Sequence, residues 1–226
     1  GLSEHDISDC SVDCLVLDLE AVIDRLGPTK VALFAPFYSG LAAIAYAAQH
    51  PERLSHLVVW HSWGRTSDTS TPQLRGLGRL LAVDWELYAE TLTHSMLGWS
   101  KGRQARQMTA NVREGVSHQM MQVFIGLMRR VDLTELLPRI RTPTLVVHRR
   151  GISWLPVSLA RSLASRIPDA RLALLEGTLP TPYLGDTEAV LQAIDEFFGE
   201  GEEAAAAAPP SGLATILFTD MEGSTT

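Results

Sequence analysis

Two short runs, Thr29-Lys-Val-Ala-Leu-Phe-Ala35 and Ser55-His-Leu-Val-Val-Trp-His-Ser62, are apolar at almost every central position. A strand with no polar face must be covered on both sides, which is the environment of a parallel sheet sandwiched between helices. Between them lie a turn, Pro36-Phe-Tyr-Ser-Gly40, and an alanine-rich helical stretch that ends at Pro51. Strand, turn, helix and strand make a βαβ unit, whose crossover is right-handed. A helix precedes it, with Leu15, Leu19, Val22, Ile23 and Leu26 at helical spacing and Gly27-Pro28 as its stop. The rhythm resumes at 142–150 (TPTLVVHRR) and continues as helix PVSLARSLASRIP, strand ARLALLEG and helix DTEAVLQAIDEFFGE. The expected class is α/β, a mostly parallel sheet flanked by helices.

Residues 65–138 interrupt that rhythm. Their periodicity predicts two long helices, about 74–98 and 103–130, forming a helical cap over the sheet. Composition narrows the function classes. With 226 residues, 46% hydrophobic residues and a net charge of -7, the chain can bury a full core and has no basic block to track a phosphate backbone, so no nucleic-acid partner is expected. No run approaches the ~20 apolar residues of a membrane span, and no basic segment followed by an apolar one opens the chain. A cytoplasmic location is expected. Cys10 and Cys14 lack a second pair at zinc spacing and read as reduced, packing thiols. From 199 to 212 the composition falls to GEGEEAAAAAPPSG, a linker without large apolar residues, and a new apolar run, LATILFTDMEGSTT, follows at 213–226. A chain that opens on Gly1 and stops just after a strand-like run reads as an excerpt of a longer protein.

Over 1–198 this order resembles the α/β-hydrolase fold. Gly1-Leu2-Ser3 is similar to the end of the family's RGxGxS loop, DLEAVIDRLG to the helix before the nucleophile strand, and AAIAYAAQHPERLSHLVV to the helix and strand after it. TPTLVVH, IPDARL and the DEFF helix are similar to its last strands and helix. The resemblance implies that the family's first strands lie upstream, leaving an unpaired edge along 30–35. It implies no cofactor for this domain. It also places three functional positions. The nucleophile turn G-x-S-x-G corresponds to Ala35-Pro36-Phe37-Tyr38-Ser39, so Phe37 stands where a serine would attack. Ile152, four residues before Pro156, stands at the acid, and Pro180 at the histidine. None of these side chains can attack, orient or shuttle a proton, which points to a pseudoenzyme.

Ser39, His61 and Ser62 are the weak substitutes: Ser39 as a helix start, and His61 with Ser62 at a strand end where open α/β sheets place ligands. His148 falls inside a strand and His50 at a helix end. Aromatic and methionine side chains cluster by position. Phe37, Tyr38, Trp60, His61, Trp63 and Trp154 come from strand ends and loops, and Trp85, Tyr88, Met120 and Met121 from the cap. They could line a pocket for a small lipophilic ligand or simply fill the space of a former substrate.

LATILFTDMEGSTT resembles the opening of a class III nucleotide cyclase domain. That resemblance implies Asp220 and the backbone of Met221 as ligands of Mg or Mn, ATP or GTP as substrate, and a homodimer through the cyclase domain, completed by residues beyond Thr226. Three functions follow: a regulatory or ligand-sensing pseudo-hydrolase region of an adenylate cyclase, an esterase with relocated catalytic residues, or a structural interaction domain.

Overall fold

The computed structural model describes residues 11–99, 102–205 and 216–218. The first helix, α1 (Val12–Leu26), starts where the Ser11 hydroxyl accepts from the Cys14 amide at 3.2 Å and stops at Gly27, whose φ of 71° suits glycine. It buries Val12, Val16, Leu19 and Ile23. The βαβ unit follows as β1 (Val31–Pro36), α2 (Ser39–Gln49) and β2 (Leu54–Trp60). The cap holds α3 (Pro72–Val83), α4 (Trp85–Leu97), α5 (Gly102–Gly115) and α6 (His118–Met128). After it come β3 (Thr144–Arg149), α7 (Val157–Ala164), β4 (Ala170–Leu175) and α8 (Thr187–Ala205), with a short strand β5 at Ile216–Phe218. These strands pair in parallel, in the order β4-β3-β2-β1-β5.

The period-two rule divides the core. Val31, Leu33, Ala35, Leu57, Val59 and Val146 face α1, α2 and α7, whereas Phe34, Val58, Trp60, Leu145 and Val147 face Val190 and Phe197 of α8. Both faces of the central strands are therefore buried, as their unbroken apolar runs require.

Two expectations are corrected. The edge of β1 is not open at its centre: Ala32, Leu33 and Phe34 pair with Ile216, Leu217 and Phe218. The remainder of 213–226, Asp220 and Met221 included, lies outside the described residues. In the cap, the four helices α3 to α6 stand where two were expected, and side-chain caps make the breaks. Asp84 (φ −151°) accepts from the Leu87 amide at 2.9 Å, and Ser117 accepts from the Met120 amide at 3.2 Å, so each side chain starts a new helix inside an otherwise continuous apolar period.

The cap leaves and rejoins the body through a neck. The Thr66 amide donates to Val131 O (3.0 Å) and the Leu133 amide to Gly64 O (2.8 Å). Among the described residues no helix is long and apolar enough to cross a membrane.

Candidate functional site

The site lies beyond the C-terminal ends of the parallel strands. Only Phe37 and Tyr38 separate β1 from α2, and Phe37 sits at φ 51°. A bulky residue in the left-handed region costs about 1–2 kcal/mol. The elbow is held by Phe37 N–H donating to Trp60 O (2.8 Å) and Gly40 N–H donating to Phe37 O (3.1 Å). Gly40 is required sterically, because a Cβ there would collide with Ser62 Oγ. A strained strand-to-helix elbow thus carries a phenyl ring at its tip.

That ring is packed. Phe37 stacks between His61 (centroids 5.8 Å, planes 13°) and Trp154 (6.0 Å, 18°). Behind it lies a chain of hydrogen bonds whose direction is set by its ends. Leu155 O can only accept, so His148 Nε2 carries a proton and donates to it at 3.1 Å. In the neutral ring His148 Nδ1 is then an acceptor, so His61 Nδ1, 3.1 Å away, is the donor. His61 Nε2 in turn accepts from the Arg149 amide at 3.5 Å. All four imidazole nitrogens are engaged. Burial, then the neighbouring His148 and Arg149, push the His61 pKa down to about 2; burial also lowers that of His148.

Each substitute residue has a definite place. Ser39 Oγ donates to Pro36 O at 2.6 Å, inside the first turn of α2. Ser62 Oγ is buried without a hydrogen-bond partner, and its neighbour His61 has no nitrogen free to act as its base. Ile152 is a core residue in the loop after β3. Pro180 is buried after β4, and its carbonyl accepts from Trp60 Nε1 at 2.5 Å.

The ten aromatic and methionine positions make different ring contacts, although Phe37, Tyr38, Trp63, Met121 and Trp154 all adjoin one core cluster. Phe37, Trp60, His61 and Trp154 form the stack at the elbow. Tyr38 points the other way, edge-on to Trp63 (5.0 Å) and to Phe124 of α6 (5.1 Å), and burial raises its hydroxyl to about 12. Met121 packs against the same core, and Met120 is half-buried in the first turn of α6. Trp85 stacks on Tyr88 (5.7 Å) and His118 (5.8 Å) within the cap. A small pocket at the neck, lined by Trp63, Gly64, Arg65, Asp68 and Thr134 among others, shares only Trp63 with the ten. Among the described residues no group of three His, Cys, Asp or Glu side chains could hold a metal.

Solved structures with this arrangement include a hydrolase from Oleispira antarctica (TM-score 0.76, 16% identity, 88% of this chain and 77% of that one). A bromoperoxidase from Bacillus anthracis matches equally well (TM-score 0.76, 14% identity, 88% and 78%). The fold is the α/β-hydrolase fold. No family model matches the chain. Sequence relatives within the hydrolases include RutD of Caulobacter sp. (strain K31), named as a carbamate hydrolase, 28% identical over 69% of this chain and 60% of its own length. Another is the pimeloyl-[acyl-carrier protein] methyl ester esterase of Aeromonas hydrophila, 26% identical over 76% of this chain and 72% of the esterase. The chain spans 60% and 62% of the lengths of the two Caulobacter relatives.

Sequence reasoning missed Arg149. It is 1% exposed and donates to three loop carbonyls, although it reads as half of an ordinary basic pair with Arg150. The available signal was its register: an arginine following Val146, Val147 and His148 remains within a strand buried on both faces.

Proposed function

We propose that this chain is a pseudo-hydrolase domain, a hydrolase fold whose elbow no longer cleaves esters and which acts by binding or by positioning a neighbouring domain. The carrying observation is Phe37 at the elbow, stacked on His61 while both buried imidazoles spend every nitrogen on fixed hydrogen bonds. A nucleophile and a free base are the minimum for acyl transfer. The cyclase-like segment LATILFTDMEGSTT favours a regulatory place beside a nucleotide cyclase, with Asp220 among its metal ligands.

A second reading, an esterase or carbamate hydrolase with relocated residues, is favoured by the relatives, which are named for those hydrolyses. One assay separates the two. Purified protein is offered short-chain p-nitrophenyl esters, alongside Ser39→Ala and Ser62→Ala. Turnover no faster than buffer supports the pseudo-hydrolase; turnover abolished by either substitution establishes the second reading. The cyclase link is tested in the full-length protein, where cyclic nucleotide formation from ATP must disappear in Asp220→Ala.

A further inference from the structure

The loop between β4 and α8 is fastened by its carbonyl oxygens. Arg149 Nη1 donates to Leu179 O (2.8 Å) and Thr181 O (3.0 Å), and Nη2 donates to Asp186 O (3.1 Å). Trp60 Nε1 takes the carbonyl between the first two, that of Pro180. The two donors are joined, since the Arg149 guanidinium lies 5.1 Å from the Trp60 ring centroid. Gly177 gives the fork its room, since a Cβ there would sit 3.3 Å from Arg149 Cδ, and Gly185 takes the loop through a φ of 77°. Gly151 is pressed still closer, its Cβ position lying 2.6 Å from Gly177 O.

A carbonyl-lined seat for a buried guanidinium is specific in geometry. The planar fork can reach several acceptors at fixed angles, which a lysine ammonium cannot reproduce from the same stem. Arg149 and Trp60 both belong to the rigid sheet, at the ends of β3 and β2, while Leu179, Pro180, Thr181 and Asp186 all belong to the loop. We infer that Arg149 and Trp60 form a clamp that fixes the 179–186 loop to the sheet as a static cover beside the elbow. Arg149 is a positioning residue in this role. The inference goes beyond the pseudo-hydrolase reading and holds whether or not esters are cleaved.

Limited proteolysis of the intact chain tests it. Tyr183, 70% exposed, is the chymotrypsin site in the loop, and Trp99, 71% exposed, is the reference site in the cap. The readout is the ratio of the initial cleavage rates at these two residues under native conditions. Arg149→Met is expected to raise that ratio at least tenfold. Arg149→Lys, which keeps the charge but loses the fork, and Trp60→Phe, which keeps the ring but loses the donor, are expected to raise it several-fold. A merely structural loss would accelerate both sites together and leave the ratio unchanged, as would an irrelevant arginine. An unchanged ratio in both Arg149→Lys and Trp60→Phe overturns the clamp even if Arg149→Met fails to fold.

Discussion

Acid should unfold this domain earlier than its carboxylates alone would require, and His61 gives the magnitude. Its folded pKa is depressed to about 2, against an ordinary value of 6.5. The unfolded chain therefore takes up a proton below about pH 6.5 that the folded chain refuses. A depressed pKa contributes stability that is present above the unfolded value and lost as pH falls. The loss approaches ~1.4 kcal/mol per pH unit, reaching ~2 kcal/mol at pH 5 relative to pH 7.5. His148, shifted in the same direction, adds to it. Urea titrations at the two pH values measure the difference. His61→Asn is the control, since asparagine tolerates the φ of 50° at this position and does not titrate. Equal unfolding free energies at pH 5 and 7.5, or an undiminished difference in His61→Asn, would refute the neutral, fully engaged imidazole chain.

Three other outcomes are expected. Gly40→Ala, whose Cβ would collide with Ser62 Oγ, should cost about 1–3 kcal/mol in a denaturant titration. Ser62→Ala removes a buried hydroxyl that has no partner, so its unfolding free energy in a denaturant titration should stay level or rise, by up to about 1 kcal/mol. Phe37→Ser restores a hydroxyl to the elbow without a base, because the imidazole nitrogens stay engaged; its p-nitrophenyl ester turnover should match that of the unmodified chain.

The sheet was legible because burial on both faces leaves a strong signal: no alternation of polar and apolar residues is needed when every position of a run such as Leu57-Val58-Val59-Trp60 is apolar. The end of α1 was equally readable, since Gly27 is both a helix stop and the residue able to take a φ of 71°. Apolar periodicity alone gives the cap two helices instead of four. Asp84 and Ser117 are ordinary residues for a helix surface, and their capping role depends on which backbone amide each side chain reaches. The partner of β1 was beyond reach for another reason: pairing between residues so far apart, Ala32 with Ile216, leaves no local trace. At the site, the resemblance alone assigns Phe37, Ile152 and Pro180 to the three triad positions, and the structure adds where each packs. The direction of Tyr38 is not legible from it, because adjacent turn residues diverge, one into the stack and the other toward α6. The His61–His148 contact joins two strands and requires their register.

The neck of the cap bears on what the insertion can do. Its two strands of chain are stitched at Gly64–Thr66 and Val131–Leu133, so the ends of the insertion are close together, and lengthening it would add little loop-closure entropy. A tether of this kind would ordinarily permit the cap to swing. Phe124 and Met128 prevent it, since both are buried in the same cluster as α1, α2 and α7 rather than in a core belonging to the cap. Opening by rotation about the neck would expose these side chains to water at a cost of several kcal/mol. The insertion is anchored as a shoulder of the domain, and any molecule that reaches the elbow must come in around it.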